Sequence, residues 1–182
     1  MKRENVVVPE CYVDTNLMNV LLGRMCNHQK GCATVFKTLD EKLSNQFAIA
    51  VIDQDKRKPE ATKQYVGIGK NDHLIVCKHQ ERPHYLIMIN PAIEMFVLDA
   101  ANELNVKLSD YGLPEDLDKL RDQTKTISAK ADKRFESLFK SIRKASNIKC
   151  LEELLQYLLD KKYSATNVEI CKILRECKPC IS

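Results

Sequence analysis

Phe47-Ala48-Ile49-Ala50-Val51-Ile52 is an unbroken apolar run, cut off by Asp53-Gln54-Asp55-Lys56-Arg57-Lys58-Pro59. A run of this length bounded by charge reads as a central strand buried on both faces, the kind found in parallel sheets covered by helices. Working toward the N-terminus, Val6-Val7-Val8 is a second short strand, ending at Pro9-Glu10. Between the two strands, Val13, Leu17, Val20 and Leu21 fall at helical spacing and Gly23 marks a stop. A polar turn at Asn27-His28-Gln29-Lys30-Gly31 follows, then a helix from about Cys32 to Ser44 carried by Val35, Phe36, Leu39 and Leu43.

Toward the C-terminus, Lys56 to Asp72 reads as a polar loop. His73–Cys77 and Tyr85–Ile89 read as strands, and Pro91 opens a helix to about Leu104 as its first residue. Strands alternating with helices predict an α/β domain over residues 1–110 with a mostly parallel central sheet. After Gly112 the pattern is helical only, which predicts an α-helical C-terminal extension over 111–182. Its segments are 115–123, one helix from Ser128 to about Ser146 (Ala131, Phe135, Leu138, Phe139, Ile142), 150–160 and 166–177.

A chain of 182 residues, 44% apolar and 30% charged with 5 Gly and 6 Pro, can bury a sizeable core, which excludes disordered and low-complexity classes. No apolar run approaches the roughly 20 residues that span a bilayer. The N-terminus lacks a secretory pattern, so a soluble cytoplasmic protein without a membrane partner is expected. In that setting the eight cysteines are expected to be reduced thiols. Cys171, Cys177 and Cys180 resemble half a zinc site but lack the second close pair that zinc requires.

The net charge of +4 is unevenly spread. Ten Lys or Arg stand against three Asp or Glu between Lys119 and Lys149, leaving the rest of the chain mildly acidic. Such a segment attracts phosphate backbones, or is simply a solvated helix face.

In open α/β sheets ligands bind beyond the carboxyl ends of the strands. Glu10 ends one predicted strand and Asp53 and Asp55 end another, so the three would share a rim. Carboxylates converging there suit a hard cation, Mg²⁺ or Mn²⁺, able to polarise a phosphoryl oxygen and activate water. Lys56, Arg57 and Lys58 follow at once and could hold a phosphate. The alternative is a solvated turn.

These residues carry a family resemblance. Val7-Val8-Pro9-Glu10-Cys11-Tyr12-Val13-Asp14 resembles the opening strand–turn–helix of Toprim domains, and Ile52-Asp53-Gln54-Asp55 resembles their Asp-x-Asp strand end. Ile89-Asn90-Pro91-Ala92-Ile93-Glu94 is similar to the last strand-to-helix passage of small nuclease-type Toprim proteins, including the OLD-like ones. Cys11 stands where that family usually has Gly, and Pro9 is atypical. The resemblance covers roughly residues 5–105 and implies a Rossmann-like fold and a Mg²⁺- or Mn²⁺-dependent endonuclease. In it Glu10, Asp53 and Asp55 would be catalytic and metal-binding, with Asp14 and Glu94 as further metal ligands. It also implies nucleic acid as partner, DNA before RNA, and a setting in nucleic-acid processing or defence against phage DNA. Lys30, Lys56, Arg57, Lys58, Lys133, Arg134 and Lys140 would then contact the nucleic acid, and the C-terminal helices could hold a protein partner or a second copy.

Two rivals stand beside this reading. Tyr12-Val13-Asp14-Thr15-Asn16-Leu17 also looks like the first motif of PIN-domain ribonucleases, which would make Asp14 the leading ligand, with Glu41, Glu94 or Asp99 assisting. A catalytically silent Toprim-like module acting through its helical tail is the other. His28 lies on the expected functional rim, as a phosphate contact or a plain turn residue. His79 and His84 flank a hairpin-like connection and are expected to be exposed. Gly67-Ile68-Gly69-Lys70 lacks phosphate-loop spacing.

Overall fold

The computed structural model describes residues 3–54 and 58–177, so Asp55, Lys56, Arg57 and Cys180 lie outside the described residues. The chain runs β1 (Arg3–Glu4), β2 (Val7–Pro9), α1 (Tyr12–Leu22), β3 (Met25–Cys26), α2 (Cys32–Glu41), β4 (Ala48–Asp53), β5 (Tyr65–Lys70), β6 (Leu74–His79) and β7 (His84–Ile89). It continues with α3 (Ile93–Glu103), α4 (Leu117–Thr124), α5 (Lys133–Ser141), α6 (Ser146–Lys161) and α7 (Asn167–Glu176).

Five strands form one sheet in the order β2-β4-β7-β6-β5. β2, β4 and β7 pair in parallel, β6 is antiparallel to both neighbours, and four of the five therefore share a direction. β4 lies inside this sheet with all six residues buried, as its unbroken apolar run predicts. Its alternate side chains enter two cores: Ile49 and Val51 on one face, Ala48, Ala50 and Ile52 on the other. α2 covers the second face with Val35, Phe36 and Leu39. The first face is covered by α1 and α3 together with the helical segment after Gly112, through Leu17, Phe96, Phe139, Leu151, Leu155 and Ile170. Burying a Leu or Phe is worth about 1.5–3 kcal/mol, against about 0–1 kcal/mol for an exposed ion pair. Apolar packing, not the many surface charges, therefore seats those helices.

Buried asparagines fix where they sit. Asn16 Nδ2 donates to Ala129 O (2.9 Å) and Asp132 O (3.1 Å), and Asn147 Nδ2 donates to Phe96 O (2.7 Å). The first of these corrects the single helix expected over 128–146. Residues Ile127–Ala131 form a short 3-10 turn, Asp132 leaves helical geometry, and its side chain caps α5 at Arg134 N. A second correction concerns the expected loop over 56–72, which contains β5 at the sheet edge, with a register shift between Gly67 and Gly69. Pro91, expected as the first residue of α3, precedes the N-cap residue Ala92 instead. No helix among the described residues is long and apolar enough to cross a membrane.

His79 and His84, expected at the surface, are 6% and 0% exposed. His79 Nδ1 accepts from Glu81 N (3.1 Å) and Arg82 N (3.0 Å), which leaves Nε2 to donate to Gln64 Oε1 (2.8 Å). His84 Nε2 donates to Leu43 O (2.9 Å). The β6–β7 turn folds around these rings because His79 satisfies two of its backbone N–H groups. Burial, ahead of the nearby charges, lowers both pKa values from the ordinary 6.5, for His79 further through His84 and Arg82. A lowered folded pKa means that the unfolded chain takes up the proton first. Both contributions to stability are thus complete above pH 6.5 and are lost as pH falls below it toward the depressed values. Thermal melts should show Tm falling between pH 6.5 and the depressed values, and His79→Gln should flatten part of that fall; a Tm independent of pH there would refute this account.

Candidate functional site

β2 and β4 end side by side, with Pro9 opposite Val51. Glu10 N extends the ladder by donating to Val51 O (3.0 Å), and the Glu10 side chain, 3% exposed, accepts from Asp53 N through Oε2 (3.3 Å). Asp53 closes β4 and is itself 3% exposed. Its Oδ1 accepts from Ile93 N (3.0 Å), the first residue of α3, whose N-cap residue Ala92 has no side chain able to do so. The carboxyl ends of two adjacent strands and a helix start thus meet on two acidic side chains.

Asp14 adjoins them through a capping box at the start of α1. Cys11 N donates to Asp14 Oδ2 (3.2 Å), and Asp14 N donates to Cys11 Sγ (3.4 Å). Burial, then the charge of Asp14, pushes the Cys11 thiol well up, with Asp53 adding to the effect, so Cys11 is a neutral thiol between two carboxylates. Cys11 therefore has a structural role as the N-cap of α1. Glu94, in the first turn of α3 and 8% exposed, accepts from Thr124 Oγ1 of α4 (2.5 Å).

A cleft of about 390 Å³ opens beside this junction, lined by Cys11, Asp53, Ala92 and Glu94 and by Arg121, Thr124 and Lys125. Of the four expected acids, Asp53 and Glu94 line the cleft, while Glu10 is bonded to Asp53 N and the buried Asp14 to Cys11 N beside them. Lys30 is exposed on the turn where Gly31 N donates to Glu10 O (3.0 Å) and Gly31 takes the positive φ of +90° that permits the turn. Lys58 Nζ donates to Gln54 O (2.6 Å) just past β4. Asp55, Lys56 and Arg57, also expected here, lie outside the described residues.

Lys133, Arg134 and Lys140 are differently placed, on α5, which packs its apolar stripe against α1. Each faces a carboxylate: Lys133 and Lys140 both bind Glu136 (2.6 and 2.7 Å), and Arg134 binds Asp132 (2.7 Å). The hydrogen bonds from Lys133 and then Lys140 pull Glu136 down to about 2. Sequence reasoning missed Arg121, Thr124 and Lys125. Their i, i+3, i+4 spacing signals one helical face, but nothing in the sequence says that this face meets the strand ends.

His28 sits at the edge of the rim, stacked on Tyr12 at 4.6 Å between centroids. Thr15 Oγ1 donates to Cys11 O (2.7 Å) and so accepts from His28 Nδ1 (2.8 Å), leaving Nε2 as the acceptor of a neutral ring. Burial and then the charge of Lys130 lower the His28 pKa. At the other end of the molecule Cys171 Sγ donates to Ile68 O (3.3 Å), and Cys177 lies against Glu153 (3.7 Å).

Among the described residues no three His, Cys, Asp or Glu side chains form a group that could hold a metal ion. The donors on the rim are carboxylates, which in kind fit Mg²⁺ or Mn²⁺ better than a soft metal. Comparison with family models, curated proteins and solved structures finds no match to this chain.

Because Asp53 Oδ1 caps α3, its structural and chemical roles are separable. Asp53→Asn keeps an acceptor for Ile93 N and should melt near the wild type, whereas Asp53→Ala should lose about 1–3 kcal/mol in denaturant unfolding. Equal stability of the two variants would show that the cap does not matter.

Proposed function

We propose that this chain is a Mg²⁺- or Mn²⁺-dependent nuclease of Toprim-like type that hydrolyses phosphodiester bonds in nucleic acid. The observation that carries the reading is the junction itself, where Asp53 N donates to Glu10 Oε2 at the carboxyl ends of adjacent parallel strands, beside a cleft that Asp53 lines together with Arg121 and Lys125. Glu10 and Asp53, with Asp55 next in the chain, would hold the metal. When bound, the metal supplies Lewis-acid stabilisation of the phosphoryl oxygens and acidifies water. The protein's own part is positioning. Asp53 is fixed by the α3 backbone and Glu10 by the β4 backbone, so neither carboxylate must be ordered when substrate arrives. The PIN-like alternative centred on Asp14 draws less support, because that side chain is fully buried and its Oδ2 accepts from Cys11 N as part of the α1 cap.

A second reading has an observation of its own. Asp14 and Asp53 cap helices and Glu94 binds Thr124, which are the jobs these acids would keep in a catalytically silent module.

Cleavage of supercoiled plasmid, single-stranded DNA and structured RNA with Mg²⁺ or Mn²⁺ separates the readings. Wild type should cleave at least one substrate, and Glu10→Gln, Asp53→Asn and Asp55→Asn should each lower the rate by about 100-fold or more, since loss of a metal site removes several kcal/mol of transition-state stabilisation. Cleavage lost on Asp14→Asn but retained in those three would transfer the reading to the PIN-like centre. No cleavage by wild type on any substrate would leave the silent module.

A further inference from the structure

The acidic rim poses an electrostatic problem for the ligand proposed for it. Carboxylates at the cleft, Asp53 and Glu94 among its lining, disfavour a phosphodiester unless cations stand beside them. Positive charge lining the cleft favours holding a polyanion there. α4 supplies it with two side chains that line the cleft, Arg121 and Lys125.

Three features suit them to an external phosphate. Lys125 is exposed at the C-cap of α4 and makes no ion pair with a described residue. Among the described residues the Arg121 side chain pairs only with Asp118 (3.3 Å), whose side chain is 87% exposed, and such a solvent-screened pair is worth about 0–1 kcal/mol and gives way readily. The α5 cations, by contrast, are tied to Glu136 and Asp132. Finally, α4 is stitched to the site. Thr124, buried between the two cations in sequence, donates to Glu94 Oε1 at 2.5 Å, on the residue next to Ile93, whose N–H Asp53 caps. That bond sets the distance between the cationic wall and the acidic floor.

We infer that Arg121 and Lys125 of α4 form a phosphate-holding wall that grips a nucleic-acid backbone in the cleft that Asp53 lines. The inference rests on the nucleic-acid reading above and names the surface that makes the contact. Arg121 offers a planar fork matched to two phosphate oxygens and Lys125 a point charge. The contact is to backbone, so it carries no base preference.

The test is fluorescence anisotropy with fluorescein-labelled single-stranded and duplex DNA and RNA oligonucleotides, titrated over a range of KCl concentrations with Ca²⁺ replacing Mg²⁺. Arg121→Gln/Lys125→Gln should weaken binding roughly tenfold or more and make the slope of log K against log salt shallower by about 2, one for each lost phosphate contact. The charge-matched control Lys161→Gln/Lys172→Gln, on α6 and α7, should bind like the wild type. Thermal melts establish that each variant is folded. Unchanged binding by the Arg121/Lys125 variant, or loss confined to Lys133→Gln/Lys140→Gln, overturns the wall while wild-type cleavage leaves the nuclease reading standing. A wild type that binds none of the oligonucleotides overturns both.

Discussion

Helix α3 starts on an alanine, and the backbone N–H of Ile93 is satisfied from 40 residues earlier in the chain, by Asp53 Oδ1 at the end of β4. That bond fixes the angle at which the chain leaves the sheet after β7, and with it the line along which α3 crosses the first face. Asp53 in turn presents its own N–H to Glu10, which fastens the end of β2 to the end of β4. Three parallel strands, a helix start and two carboxylates are therefore coupled through one residue, by its backbone and its side chain together. A buried acceptor removed from such a place costs more than the bond it made, because the donor it leaves behind has no water to turn to.

The helices after Gly112 are bound into the same arrangement. They share one apolar core with α1, α3 and the sheet, and α1 is held to the 127–132 segment by the two amide bonds of Asn16. α4 reaches the strand ends only through this packing, so the cleft is walled by residues remote in sequence from its floor. The chemistry proposed for the rim depends on the helical segment as much as on the strands.

β4 was readable from sequence because a strand buried on both faces has no polar alternation to confuse it, and Glu10 and Asp53 were readable because they end such runs. Features that depend on partners far along the chain were not. β5 is an edge strand with Gly67 and Gly69 in it, so it lacks both the β-branched density and the two-sided burial that announced β4. Asp132 looked like one more charge on a helix, yet it caps α5 while Asn16 holds its carbonyl, and Asn16 lies 116 residues away. His79 and His84 are polar by composition and buried by circumstance: the turn between β6 and β7 supplies donors to one ring, and the Leu43 carbonyl accepts from the other. In the cleft, the acids were visible as strand ends, but Arg121 and Lys125 acquire meaning only once α4 is docked.

Docking of α4 also sorts the acids by role. Glu94 has an oxygen engaged by Thr124 at 2.5 Å, and Thr124 is the only residue of α4 that is both buried and hydrogen-bonded to α3 among the described residues. Any ligand that took Glu94 away from Thr124 would loosen the wall it needs. The bonds described for Glu10 and Asp53 run instead to backbone N–H groups at the end of β4 and the start of α3, which a second ligand on the carboxylate does not displace. A carboxylate can accept from more than one donor or cation at once. In the proposed nuclease, Glu94 is therefore a positioning residue that acts through α4, and the metal chemistry belongs to the strand-end pair Glu10 and Asp53 with Asp55.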